Sequence, residues 1–151
     1  MKKAHKIFSE TSVTLHSEEE MRGLGRVLAA LLEPGDVLGL VGDLGAGKTR
    51  LAQGILAGLG AAQPAASPTF ALVHEHEDGR LPAAHFDFYR MSSPEEALGL
   101  GWDDYLSSGF ILLVEWADRF GGALMPEHTV WLSIRHTGEA TRECTLGARP
   151  Q

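Results

Sequence analysis

The sequence lacks several features that mark secreted, membrane-spanning or disulfide-stabilised proteins. Its 151 residues include one cysteine, Cys144, which cannot form an internal disulfide and which we expect to be an ordinary strand residue. No uninterrupted apolar run is long enough to cross a membrane, and the basic N-terminus lacks the apolar stretch of a signal peptide. We therefore expect a cytoplasmic protein without a membrane partner.

Positive charge is also scarce. The chain has 13 lysines and arginines against 20 aspartates and glutamates, which gives a net charge of −7. Such an acidic chain has no general attraction to nucleic-acid phosphates, and no cluster of Lys and Arg creates a local exception. We expect any link to nucleic acid to run through a partner.

The chain does contain apolar strand patterns that alternate with helix patterns. Its hydrophobic fraction of 44% is typical of a folded protein, and no repeat or linker divides it, so we expect a single domain over 1–151. Helices are predicted from Ser17 to the stop at Pro34-Gly35, from Thr49 to Gly60, and over 93–106. The predicted strands cover 12–16, 37–41 and 110–114, with hairpins joined at Asp78-Gly79 and around Gly138. This alternation predicts a three-layer α/β fold.

One stretch carries a complete motif. The sequence "GDLGAGKT" over 42–49 matches G-x-x-x-x-G-K-[ST] and lies between an apolar strand and a helix pattern. Glycines allow consecutive backbone N–H groups to face a phosphate chain, and the helix that follows directs its positive end at the same anion. The pattern predicts a site for a nucleoside triphosphate in a P-loop NTPase-like fold, with a mostly parallel central sheet and added antiparallel hairpins. Lys48 would contact the β- and γ-phosphates, and the Thr49 hydroxyl would bind Mg²⁺. We expect the nucleotide-binding residues of the loop to be Gly42, Asp43, Leu44, Gly45, Ala46, Gly47, Lys48, Thr49 and Arg50.

Hydrolysis also needs acidic groups beside the metal and the γ-phosphate. Glu115 ends the apolar strand "FILLVE", where parallel topology brings a carboxylate to the P-loop edge, although an exposed helix-capping role is the alternative. Asp87 in "HFDFY" is either a second acid of the metal site or a solvent-facing residue. Thr69 in "SPT" is either a switch residue that senses the γ-phosphate or part of a simple turn.

Other candidates are weaker. The histidines His74, His76 and His85 could form a metal site, but an exposed hairpin face explains them more simply. Trp116 is either core packing or part of a lid over the site. Arg90 and Arg119 could each contact phosphate or a protein partner, or could simply be solvated.

Four motifs in order, "GDLGAGKT", "SPTFALV", "HFDFYR" and "LVEW", resemble the TsaE family of small bacterial P-loop ATPases, over about residues 17–120. The resemblance implies a role in tRNA threonylcarbamoyladenosine synthesis, in which ATP hydrolysis lets the cycle of the TsaB–TsaD pair turn over. TsaD transfers the threonylcarbamoyl group, so contact with tRNA is implied only through the complex.

The resemblance also implies roles for individual residues. Lys48 is implied to hold phosphate, Thr49 and Glu115 to hold Mg²⁺, Asp87 to be a second acid of the site, and Thr69 to be a switch residue. It further implies that the nucleotide base lies near Ser17 and Glu18 and near the C-terminal hairpin.

Two other classes of function compete with this interpretation. A small-molecule kinase would need a substrate pocket and usually an arginine-rich lid, and no arginine cluster follows the P-loop. A regulatory nucleotide-binding module, in which turnover is incidental, remains open because no arginine finger is evident. A GTPase is disfavoured because no Asn-Lys-x-Asp sequence is present.

Overall fold

The computed structural model describes residues 12–62 and 72–147. Within these ranges the chain forms four helices and seven strands. The helices are α1 (Glu18–Ala29), α2 (Lys48–Gly58), α3 (Pro94–Gly99) and α4 (Trp102–Ser107). The strands are β1 (Ser12–Leu15), β2 (Val37–Val41), β3 (Val73–His76), β4 (Ala83–Asp87), β5 (Ile111–Glu115), β6 (Val130–His136) and β7 (Arg142–Gly147). No helix in the described ranges combines the length and apolarity needed to span a bilayer.

The strands form one sheet in the order β1-β7-β6-β2-β5-β4-β3. The four central strands, β6, β2, β5 and β4, pair in parallel, whereas β3, β7 and β1 add to the two edges in antiparallel fashion. The predicted α/β class, with a parallel centre and antiparallel hairpins, is thereby confirmed. Because β2 lies between β5 and β6, the loop that follows it leaves the middle of the parallel region.

Both faces of the sheet are covered, as the apolar sequence of β2 predicts. Leu38 and Leu40 belong to the core cluster formed with α1 and α2. Val37 belongs to the cluster on the opposite face, with residues of α3 and α4. Gly39 faces the same way as Val37, where a Cβ would lie 2.9 Å from Cε3 of Trp131. The strand is therefore enclosed on two sides, which gives the three layers.

Helices α1 and α2 pack closely because glycines lie at their contact. A Cβ at Gly54 would lie 2.2 Å from the carbonyl oxygen of Arg22, and one at Gly25 would lie 2.6 Å from that of Leu51. This contact places the first residues of α1 beside the start of α2. The predicted start of α1 at Ser17 is confirmed, since Ser17 is the N-cap and its hydroxyl accepts a 3.0 Å hydrogen bond from the backbone N–H of Glu20.

Some predicted boundaries are wrong. Helix α1 ends at Ala29, before Pro34-Gly35, and a turn follows in which Asp36 accepts the backbone N–H of Glu33 at 2.8 Å. The predicted helix over 93–106 is two helices, because Gly101 adopts φ +89°, outside the helical region. The loop between β3 and β4 covers 77–82 and so is longer than a two-residue turn at Asp78-Gly79.

Candidate nucleotide-binding site

The P-loop motif forms the connection between β2 and α2, and its glycines adopt backbone conformations that other residues rarely adopt. Gly45 has φ +79° and Gly47 has φ +118°. At Gly42, with φ +155°, a Cβ would lie 2.4 Å from the carbonyl oxygen of Ile134. The loop thus turns tightly beside β6, and it delivers Lys48 and Thr49 to the first turn of α2.

Lys48 is buried at the centre of this loop, with 4% of its surface exposed. Its ammonium donates hydrogen bonds to the carbonyl oxygens of Gly42 at 2.5 Å and Asp43 at 2.8 Å. The ammonium also lies 4.2 Å from the ring centroid of Trp116, a cation–π contact. Burial lowers the pKa of Lys48 below its usual value, and the negative charge of Glu115 acts in the opposite direction. Lys48 is thus a desolvated cation whose hydrogen bonds go to neutral carbonyl groups.

The two predicted acids lie side by side at the carboxyl ends of neighbouring parallel strands. Asp87 ends β4, Glu115 ends β5, and the two are paired in the sheet register. Asp87 is 7% exposed and Glu115 is 3% exposed, so the solvent-facing alternative for Asp87 and the exposed capping alternative for Glu115 are wrong. The hydroxyl of Thr49 donates a 2.9 Å hydrogen bond to Oε1 of Glu115, which joins α2 to the end of β5.

His85, which the sequence suggests only as a weak candidate for a histidine metal site, instead contacts one of the two acids of the cleft. The expectation that it lies on an exposed hairpin face is wrong, because its surface is 0% exposed. Its Nε2 lies 2.6 Å from Oε2 of Glu115. The signal in the sequence was its position two residues before Asp87, which puts both side chains on one face of β4.

A cleft of about 930 Å³ extends from the loop across the edge of the sheet. Its lining includes Ser17 and Glu18 from the start of α1, and it continues to Glu139, Ala140 and Arg142 of the C-terminal hairpin. The two regions that the resemblance implies for the nucleotide base are therefore brought to one cleft. Among the predicted site residues, those that line it are Ser17, Leu44, Gly45, Ala46, Gly47, Lys48, Thr49, Arg50, Asp87 and Glu115.

Two aromatic side chains border the cleft beside the acids. Trp116 lines it directly after Glu115, with φ +57°, an uncommon backbone conformation for a bulky residue. The ring of Tyr89 lies 4.7 Å from that of Trp116 and is 53% exposed. Arg90 also lines the cleft, whereas Arg119 lies over the ring of Phe120 at 5.1 Å.

Two of the candidate roles named from the sequence have no structural support. Thr69 lies outside the described residues, as does the rest of "SPTF". No group of three or more His, Cys, Asp or Glu side chains within 12–62 and 72–147 is arranged to hold a metal ion, so the histidine metal site is not supported. A Mg²⁺ site does not need three such side chains. This ion is commonly bound by one or two carboxylates together with phosphate oxygens and water.

Most of the chain matches a known protein family. The family model described as "Threonylcarbamoyl adenosine biosynthesis protein TsaE" matches residues 15–144. The chain belongs to the TsaE family. The matched range contains all the described candidate site residues, from Ser17 to Arg142.

Individual TsaE relatives agree with this assignment. The tRNA threonylcarbamoyladenosine biosynthesis protein TsaE of Bacillus subtilis is 42% identical over 130 residues, which cover 86% of this chain and 80% of the relative. The TsaE protein of a Nostoc species is 41% identical over 140 residues, covering 90% and 85%. Among solved structures, Bacillus subtilis YdiB superposes with a TM-score of 0.77 at 35% identity, over 92% of this chain and 85% of that one.

Proposed function

We propose that this TsaE-family chain binds ATP and Mg²⁺ in the cleft and hydrolyses ATP as an accessory protein of tRNA threonylcarbamoyladenosine synthesis. Hydrolysis resets the TsaB–TsaD pair, which carries out the transfer to tRNA. The observation that carries the proposal is the contact of Thr49 with Glu115 at 2.9 Å, which joins a P-loop helix to an acid at the end of a parallel strand. Phosphate-binding and acidic groups are thereby adjacent in one cleft.

The start of α2 is suited to bind phosphate. The backbone N–H groups of its first turn lack helical partners, and the helix dipole adds positive potential there. Lys48 supplies a full positive charge at the same place, and its ammonium donates its hydrogen bonds to two neutral carbonyl oxygens of the loop. A phosphate oxygen is a stronger acceptor for an ammonium than a neutral carbonyl, so we expect Lys48 to turn to the β- and γ-phosphates of bound ATP.

The residues at the edge of the sheet fit Mg²⁺. Hard oxygen donors are the ligands that this ion prefers, and the Thr49 hydroxyl and the carboxylates of Glu115 and Asp87 supply them within one corner of the cleft. When bound, Mg²⁺ would neutralise charge on the phosphate oxygens. Glu115 and Asp87 also provide the acceptors that can orient an attacking water.

A partner enters the proposal because two of the three arginines that line the cleft, Arg50 and Arg142, have contacts within the chain, whereas the third, Arg90, is exposed. The guanidinium of Arg50 lies 3.3 Å from the Glu18 carboxylate. That of Arg142 donates to the carbonyl oxygens of Glu139 and Thr141. A cation that stabilises the transition state is worth several orders of magnitude in P-loop NTPases, so we propose that turnover is slow until TsaB–TsaD completes the site.

The test is ATP turnover by the purified chain with and without TsaB–TsaD, with Lys48→Ala as the negative control. The proposal expects Mg²⁺-dependent release of inorganic phosphate that rises when the pair is added. ATP binding without turnover in either condition would favour a regulatory nucleotide-binding module. Transfer of the phosphate to a small molecule would favour a kinase.

A further inference from the structure

His85 is a buried polar residue to which the proposed function assigns no role. Its Nε2 lies 2.6 Å from Oε2 of Glu115, and the two side chains are 0% and 4% exposed. The other carboxylate oxygen, Oε1, accepts the Thr49 hydroxyl at 2.9 Å. The two oxygens of one carboxylate therefore have separate partners, a ring nitrogen on β4 and a hydroxyl on α2.

The direction of the His85 hydrogen bond follows from the other ring nitrogen. Nδ1 is buried and has no hydrogen-bond partner among the described residues. A proton on Nδ1 would leave a buried N–H without an acceptor, which is costly, whereas a bare Nδ1 leaves only a lone pair. The tautomer with its proton on Nε2 therefore fits, and His85 donates to Glu115.

The sheet explains why these side chains meet. In the parallel pairing of β4 with β5, Asp87 is paired with Glu115 and His85 with Leu113. Side chains two residues apart share a face, so His85 and Asp87 lie on one face of β4, from which Nε2 of His85 reaches the Glu115 carboxylate. A glutamate side chain has three rotatable bonds, and a single hydroxyl contact would not fix its orientation.

We propose that His85 is a positioning residue that holds the Glu115 carboxylate with Oε1 directed at Thr49 and the Mg²⁺ position. This role rests on the proposed function of Glu115 as an acid of the Mg²⁺ site. A hydrogen bond to the far oxygen of a carboxylate orients its near oxygen, and loss of such a partner commonly lowers metal affinity or activity by about 10–100-fold.

A purely structural histidine would behave differently. Its replacement would lower the free energy of unfolding but would leave the Mg²⁺ dependence of nucleotide binding unchanged. The variants that separate the two roles are His85→Met, which fills similar volume without an N–H donor, and His85→Gln, whose amide N–H can replace Nε2–H. His74→Met is the matched control, because His74 is paired with His85 across β3 and β4.

The experiment titrates MgCl₂ into the purified full chain with a non-hydrolysable ATP analogue and follows binding by calorimetry. We expect His85→Met to weaken the apparent Mg²⁺ affinity by about 10–100-fold, with little change in analogue affinity without Mg²⁺. We expect His85→Gln to recover most of the loss and His74→Met to match the wild type. Equal Mg²⁺ affinity in His85→Met and wild type would overturn the positioning role alone, whereas a wild type without Mg²⁺ dependence would overturn the proposed function as well.

A second measurement on the wild type covers the case in which His85→Met does not fold. Nitrogen-15 NMR of the ligand-free chain reports which ring nitrogen of a histidine carries the proton. We expect a protected Nε2–H signal from His85 that is lost in Glu115→Ala. A proton found on Nδ1 instead would overturn the proposal.

Discussion

The Thr49 hydroxyl donates a 2.9 Å hydrogen bond to Oε1 of Glu115, across 66 positions of sequence. The bond connects the first turn of α2 to the last residue of β5. It forms because β2 and β5 are adjacent parallel strands, so the helix that follows β2 starts beside the carboxyl end of β5. The P-loop and the strand-end acid are thus held in contact by the chain itself.

The proposed phosphate role of Lys48 predicts the effect of removing its ammonium. We expect Lys48→Ala to abolish measurable ATP binding, a loss of at least about a hundredfold, since each hydrogen bond to a charged group contributes about 1.5–3 kcal/mol. Calorimetric titration with ATP and Mg²⁺ measures the affinity. Arg135→Ala is the control, because Arg135 is paired with Glu143 outside the cleft and its replacement should leave ATP affinity unchanged. Retention of near-normal affinity in Lys48→Ala would contradict the phosphate role.

The contact between α1 and α2 predicts a steric effect on stability. We expect Gly54→Ala to lower the free energy of unfolding by about 1–3 kcal/mol, because the new Cβ would lie 2.2 Å from a backbone oxygen of Arg22. Urea denaturation followed by circular dichroism measures the change. Gly99→Ala is the matched control, since apart from its chain neighbours and the backbone of its own helix no described atom lies within 4 Å of a Cβ at Gly99 in α3. An equal effect of the two substitutions would show that the helices are not in close contact at Gly54.

The environment of Tyr105 predicts that the stability of the fold depends on pH in the alkaline range. Burial, together with the hydrogen bond to Glu75 and the negative charges of Glu75 and Glu77, raises the pKa of Tyr105 to about 12. Because the pKa is higher in the folded state, its contribution to stability is complete below the usual value of about 10 and is lost as the pH rises through about 12. Absorbance at alkaline pH should show an ionisation near 12 that is absent in Tyr105→Phe. Ionisation of Tyr105 near pH 10 would contradict its contact with Glu75.

Much of the fold and part of the site could be predicted because they depend on local patterns. The apolar run of β2 and the glycine motif predict a buried strand, a tight loop and a helix start, and these are present. Cys144 lies buried in β7, as expected of a strand residue. The contact of Glu115 with the start of α2 could be predicted from its position at the end of an apolar strand. In a parallel sheet the carboxyl ends of neighbouring strands lie at the same edge.

The rest depends on contacts between distant parts of the chain. The sequence shows His85 only as one of three histidines near a hairpin, and its burial follows from the pairing of β4 with β5 and from the cover provided by neighbouring elements. The break at Gly101 depends on a positive φ, which a glycine allows but does not require. The meeting of α1 and the C-terminal hairpin at one cleft requires the full strand order, which local patterns do not determine.

The central claim is that Glu115 acts in Mg²⁺-dependent hydrolysis of ATP bound in this cleft. The most direct measurement is ATP turnover by Glu115→Ala in the assembled complex with TsaB–TsaD, with ATP binding measured on the same sample. We predict that binding is retained while Mg²⁺-dependent turnover stops, because the P-loop contacts remain and the carboxylate is removed. Turnover at the wild-type rate would contradict the account.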